Sequence, residues 1–313
     1  MDKLNKLFKD FNKTKRSDWV EAATKDLKDK TVDSLNYSYY DTTDMPAAVF
    51  PEDVKQRIGP ILWKKNIQPE LGIYFNEEIL SNKSELEVLI HLNVNNFLLK
   101  SSNLNAHFYQ KLNEEFPFSN WLLENQNALI LPDSQIFKFH LLKSNQLKSL
   151  DQVIEMMKKG KELLKATLLN DEDISVTAKN IYFLRKINNN YLYEIALGRA
   201  QRIVWRNLLK VFSVPDSLPP LFNSILNVND DENLCLIEAT SKMLSAFLGG
   251  ADQVFIEMNK NSQRKYLNNL VHIFNILKME SGIGEVMDPA AGSYYLDELT
   301  TKLANKIWEN LKS

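Results

Sequence analysis

A single cysteine, Cys235, occurs in 313 residues, so no disulfide forms within the chain and a reducing compartment is expected. Set between Leu234 and the pair Leu236-Ile237, it reads as a small buried side chain rather than a nucleophile. Glycine is also scarce. The nine present build no Gly-rich loop after any candidate strand, so the Rossmann and P-loop fingerprints are missing. No Gly-x-Ser-x-Gly elbow occurs, which removes the usual setting of a serine nucleophile. The four histidines, His91, His107, His140 and His272, have no Asp, Glu or Cys at metal-ligand spacing and read as structural. Charge of one sign is lacking too: 38 basic and 40 acidic residues leave a net charge of -2 and no field to attract nucleic acid. No apolar run approaches the ~20 residues of a membrane span. The opening Met1-Asp2-Lys3-Leu4-Asn5-Lys6 lacks the apolar core of a secretory leader, so a cytoplasmic location is expected, with no membrane partner.

What is present is an ordinary globular composition, 44% hydrophobic and 25% charged, enough for one large core. Residues 1–15 place Leu4, Leu7, Phe8 and Phe11 on one helical face, an amphipathic arm suited to docking on its own domain or a partner subunit. A second helix is expected from Ser17 as N-cap, with Trp19, Ala22, Ala23 and Leu27 as its apolar positions. Leu35 to Tyr40 alternates as a strand does, and Pro46, Pro51 and Pro60 mark an extended connection. These features place a domain boundary between an arm, residues 1–45, and a main domain, residues 46–313.

In the main domain short strand-like runs alternate with longer helical ones. Strands are expected at Gly72–Phe75, Leu86–Val94, Ala128–Leu131, Ile136–Leu142, Ile174–Leu184, Leu221–Leu226 and Gln253–Ile256. Helices are expected near 104–115, 149–169, 189–212, 231–248, 261–280 and 297–312. This alternation implies crossover connections and a parallel sheet, open or closed into a barrel. Within Leu86–Val94 one face is wholly apolar, and the other, Glu87, Leu89, His91 and Asn93, would suit a barrel axis.

Two groups of residues invite a chemical reading. Asn227, Asn229, Asp231, Asn233 and Glu238 imitate a calcium loop, but Glu232 stands where that loop needs glycine. Asp230 or Asp231 capping the following helix explains the run without an ion. The 189–212 helix carries Glu194, Arg199, Arg202, Trp205 and Arg206. Its arginines suit bidentate binding of anions such as those of coenzyme A, or a salt-bridged face around a packed Trp205.

The most informative stretch is Asp288-Pro289-Ala290-Ala291-Gly292-Ser293-Tyr294-Tyr295. Its small residues let another backbone or a ligand approach closely. Asp297 is the expected N-cap of a terminal helix with Leu299, Leu303, Ile307 and Leu311 on its apolar face and Glu298 paired with Lys302.

With Glu280-Ser281-Gly282 before it and Leu299-Thr300 after it, this string resembles the end of the substrate barrel of methylmalonyl-CoA mutases. Trp19–Lys30 and Leu35–Asp41 resemble the opening of the mutase small subunit. Ile181-Tyr182-Phe183, Glu194-Ile195-Ala196, Arg199-Ala200-Gln201-Arg202 and Ala239–Gly250 are similar to barrel segments of the family. The resemblance covers about half the chain. It implies a (β/α)8 TIM-barrel-like α/β fold, incomplete or distorted around 76–150, with an N-terminal helical arm.

The chain departs from catalytically complete mutases in ways that bear on function. No histidine stands in an Asp-x-His-x-x-Gly cobalt-ligand signature, so the resemblance implies that the flavodoxin-like cobalamin domain is lacking here. The Tyr-His-x-Gln-Glu-Ala-Gly-Ala stretch is replaced by Phe139-His140-Leu141-Leu142-Lys143-Ser144-Asn145, and an Arg-Asn-Thr-Gln segment by Val271-His272-Ile273-Phe274. Glu280 alone matches the cofactor-facing region, and His140 takes over no catalytic role. The resemblance therefore implies a non-catalytic small subunit in an intramolecular transferase (isomerase) complex. Such a chain would stabilise the large subunit as a heterodimer, or form a homodimer when isolated. It would bind no cofactor or metal of its own, with adenosylcobalamin held by the partner. The alternatives are an active acyl-CoA mutase barrel that borrows cobalamin from a separate chain, and a coenzyme A ester binding module. Bulky side chains on the barrel axis would exclude both.

Overall fold

A computed structural model describes residues 15–28, 30–39, 43–54, 69–76, 83–92, 94, 96–100, 114, 119–123, 128–130, 136–215, 221–227, 229–257 and 265–312. The chain separates into two compact units, Met1–Arg57 and Ile58–Ser313. The expected arm helix over 1–15 and most of the one near 104–115 lie outside the described residues.

In the first unit α1 spans Arg16–Leu27. Its N-cap is Lys15, two residues before the expected cap Ser17, because the Asp18 carboxylate reaches back to accept the Lys15 backbone N–H at 2.9 Å. Arg16 pairs with Asp53 at 2.6 Å, and Trp19 meets Phe50 edge-on at 5.8 Å. The expected strand at 35–40 shortens to β1, Tyr37–Ser38, antiparallel to β2, Asp44–Met45.

The second unit is built on one sheet. Its strands are β3 (Glu70–Asn76), β4 (Asn96–Lys100), β5 (Asn120–Leu123), β6 (Ala128–Ile130), β7 (Ile136–Lys138), β8 (His140–Lys143), β9 (Ile181–Lys186), β10 (Leu221–Asn227) and β11 (Gln253–Glu257). Seven are parallel in the order β8-β9-β10-β11-β3-β4-β5, and β6 and β7 continue antiparallel from β5. Only Phe139 separates β7 from β8. The run Ile136–Lys143 thus pairs with β6 through its first half and with β9 through its second. The pairing order returns on itself, giving a curled sheet compatible with a TIM-like barrel. Helices α2 (Lys83–His91), α3 (Ser149–Leu169), α4 (Ile174–Lys179), α5 (Tyr191–Val211), α6 (Glu232–Leu248), α7 (Leu267–Met279) and α8 (Tyr294–Lys312) accompany it.

Three expectations are corrected. Lys83–His91 is a helix, not a strand: Leu89 is buried while Val88 is 47% exposed, so the alternating face that would have been apolar is not kept inside. The run 174–184 divides into α4, capped by Asp173 accepting the Ser175 N–H at 2.8 Å, and β9. At the terminal helix the cap is Ser293, whose hydroxyl accepts the Leu296 N–H at 3.4 Å. Asp297 lies inside the first turn and is buried. The apolar stripe Leu299, Leu303, Ile307, Leu311 is buried as its period requires, and Glu298 stands 3.8 Å from Lys302.

Strand side chains alternate between two cores. Outward from the sheet, Leu71, Ile73, Phe97, Leu99, Trp121, Val254 and Ile256 pack with Leu89 of α2, Ala239 and Met243 of α6, and Leu270 and Phe274 of α7. Inward, Tyr74, Leu98, Leu122, Phe139, Leu184, Ile225 and Phe255 form a second cluster, with Leu141 and Tyr182 against it. Phe255 leans over Gly72. A Cβ there would stand 2.4 Å from the phenyl ring and 2.9 Å from the Asn96 carbonyl oxygen.

Helix α5 carries the buried charges. Glu194 is joined by Arg185 of β9 and by the Ser149 hydroxyl. Arg199 lies 3.2 Å from Asp288 and 3.1 Å from Asp297, all three out of contact with water. Arg202 donates to the Gly250 carbonyl, meets Asp252 at 2.9 Å and covers the Phe222 ring at 4.7 Å. Burial raises the Asp297 pKa, and the Arg199 guanidinium partly offsets it.

Arg199→Met leaves two carboxylates buried without their cation and is expected to lower the unfolding free energy by about 3–5 kcal/mol, read by urea denaturation. Because Asp297 holds its proton to higher pH in the folded state than in the unfolded, the folded state binds more protons above about pH 4. Its contribution therefore falls as pH rises through the folded pKa. The stability difference between wild type and Asp297→Asn, followed by denaturation across pH, is expected to move against the wild type in that window. Gly72→Ala is expected to cost about 1–3 kcal/mol by overpacking, and Phe255→Leu in the same chain to recover part of the lost Tm.

Candidate functional site

In parallel barrels ligands are held at the C-terminal ends of the strands, above an interior filled in layers. Here the inner face is closed at that end by its own side chains. Lys143, at the end of β8, donates to the Tyr74 hydroxyl at 3.0 Å and lies 4.9 Å from the centre of that ring. Lys186, at the end of β9, meets Glu257 of β11 at 3.1 Å. Below them stand Leu184, Ile225, Phe255, Leu98 and Leu122, each buried. At the N-terminal ends of the strands, Asn120 donates to Asn96 at 2.9 Å and Asn96 to Glu70 at 3.0 Å. An acyl thioester laid along this axis would have to displace the aromatic and branched side chains that occupy it.

Arg199 and Arg202 of the 189–212 helix do not offer an anion site either, while Arg206 is half-buried. Arg199 and Arg202 are 0% and 1% exposed and are engaged with Asp288, Asp297, Asp252 and backbone carbonyls. The alternative reading holds, a salt-bridged face around Trp205, which is itself buried and edge-on to Phe183 at 4.8 Å. Within Asp288–Tyr295 only the start is tightly held, where Arg199 meets the Asp288 carboxylate and the Ala290 carbonyl; Gly292 and Ser293 are exposed and a Cβ on Gly292 would meet no neighbour, so the close approach expected there is not made.

The other singled-out residues do not converge. Glu280 is exposed and ends α7, with its backbone N–H on the Ile276 carbonyl at 3.0 Å. His91 and His272 are exposed on helices. His140 is exposed on the outer side of β8, opposite in alternation to Phe139 and Leu141. His107 lies outside the described residues. Asp231 caps α6 by accepting the Leu234 N–H at 3.0 Å, and Glu238 pairs with Lys242 at 3.1 Å, so the calcium-like run is a helix start. Cys235 is fully buried, and burial raises its thiol pKa. Among the described residues no three His, Cys, Asp or Glu side chains gather as a metal site, and no helix is long and apolar enough to cross a membrane.

The family model described as methylmalonyl-CoA mutase matches residues 151–313. A methylmalonyl-CoA mutase of Cereibacter sphaeroides is 30% identical over 164 residues, 48% of this chain and 22% of the relative. A methylmalonyl-CoA mutase small subunit of Porphyromonas gingivalis is 25% identical over 150 residues, covering 42% and 23%. A 2-hydroxyisobutanoyl-CoA mutase large subunit of Aquincola tertiaricarbonis is 33% identical over 150 residues, covering 43% and 26%. The chain thus spans about a quarter of the length of the curated relatives it matches. The matched half contains α5 with its buried charges, β9 to β11, and the Asp288–Tyr295 turn clamped by Arg199, and by these the chain belongs to the methylmalonyl-CoA mutase family.

Proposed function

We propose that the chain acts as a non-catalytic small subunit of a methylmalonyl-CoA mutase, stabilising a cobalamin-binding large subunit in a cytoplasmic heterodimer. The observation that carries this reading is the inner face of the sheet, where Tyr74, Leu98, Leu122, Phe139, Leu184, Ile225 and Phe255 pack into one cluster. In a closed (β/α)8 arrangement that cluster occupies the place where a coenzyme A ester would thread. Relatives bearing both large-subunit and small-subunit names support a two-chain assembly. In this reading the chain's own residues perform no proton or group transfer. Their work is to present a rigid surface, held by the buried ion pairs of α5, while adenosylcobalamin and the radical chemistry it supplies stay with the partner.

Expressed beside a mutase large subunit of the same cell, the chain is expected to elute with it. Omitting the chain should reduce the large subunit's isomerase activity or its thermal stability. Separate elution together with full activity of the large subunit alone would end the proposal. Calorimetric titration of the isolated chain with methylmalonyl-CoA is expected to give no heat of binding. A micromolar Kd would instead favour a chain that holds the ester itself.

A further inference from the structure

Between α5, the last turn of α6 and the outer face of β9 and β10 lies a cavity of about 10 Å3, lined by Arg185, Gly198, Gln201, Phe222, Ser224 and Gly249 among others. It is room for one water and nothing larger. Gln201 is 2% exposed, and its Nε2 has no hydrogen-bond partner in the protein. A buried amide N–H left unpaired is costly, and native interiors satisfy nearly all such donors with protein or with ordered water. The neighbouring Arg185 guanidinium, itself donor-only, offers it no acceptor and donates to the Glu194 carboxylate and backbone carbonyl.

The gap has a structural origin. Gly198 and Gly249 bring α5 against the end of α6 so closely that a Cβ on Gly198 would stand 2.6 Å from the Gly249 carbonyl oxygen. The helices meet there by backbone, and no side chain of either glycine fills the space beside the contact. Two lining residues carry orphan groups, Gln201 with its Nε2 donor and Asn223 with both its Nδ2 donor and its Oδ1 acceptor, and Ser224 and Gly249 stand beside them with a hydroxyl and a carbonyl as further acceptors. Two to four polar partners are what a buried water takes.

We infer that this cavity is a single-water site, the water accepting an N–H from Gln201 and donating to the Gly249 carbonyl and the Ser224 hydroxyl. It would tie α5, α6 and β10 together two residues along α5 from Arg199, independently of whether the chain acts as a subunit or binds an ester. A crystal structure of the full chain at about 1.5 Å, where ordered waters are resolved, is expected to show one water at Gln201 Nε2. Gln201→Met keeps the side-chain bulk and removes the donor, and the water should be lost. Water-17O relaxation dispersion should count one fewer long-lived water in the variant than in the wild type. An empty wild-type cavity, a Gln201 amide turned onto a protein acceptor, or equal counts in the two proteins would overturn the inference.

Discussion

Helix α5 holds three ionised side chains out of water, and each secures a different part of the second unit. Glu194 fixes the helix to β9 through Arg185. Arg202 holds the approach to β11 through Gly250 and Asp252, and Arg199 clamps the turn that launches α8. A buried ion pair is seldom worth more than a hydrophobic pair of the same shape, yet breaking one is severe because the other charge is stranded. The geometry therefore fixes one arrangement of sheet, α5 and α8 and penalises the alternatives. Gly198 in the same helix fits this, since α5 meets Gly249 by backbone beside the Gly250 carbonyl that Arg202 holds.

This accounts for a chain that keeps family motifs around a curled sheet whose inner face is packed by its own side chains. The Glu-Ile-Ala, Arg-Ala-Gln-Arg and Asp-Pro-Ala-Ala-Gly-Ser segments touch one another rather than the axis. The inward-facing residues, phenylalanine, leucine, isoleucine and tyrosine among them, form a cluster of their own.

The long helices after residue 149 were legible from periodicity, because their buried stripes face one way. The Asp288–Tyr295 string and its surroundings identified the family. The parts that sequence reading missed share a physical cause. Strands β4 and β5 read as short unbroken apolar runs, Phe97-Leu98-Leu99 and Trp121-Leu122-Leu123, because Asn96–Leu99 of β4 and Trp121 and Leu122 of β5 are buried on both faces and lose the alternation that marks a strand. Leu86 to Ile90 satisfied a two-residue and a three-to-four-residue spacing at once, and only tertiary burial of Leu89 decides between them. The pairing of Arg199 with residues more than ninety positions away has no local signature, so periodicity favours a salt-bridged face around Trp205 but leaves the arginines open to an anion reading as well.

The shared run Ile136–Lys143 has a further consequence. Its two halves answer to neighbours of opposite direction, β6 and β9, so neither can slide without dragging the other out of register. A slip by one residue would exchange Phe139 with His140, turning an imidazole into the oily centre and a phenyl ring into solvent. Where the two ladders meet, the chain has a built-in ratchet: a single aromatic tooth, Phe139, sets the phase of the whole circuit.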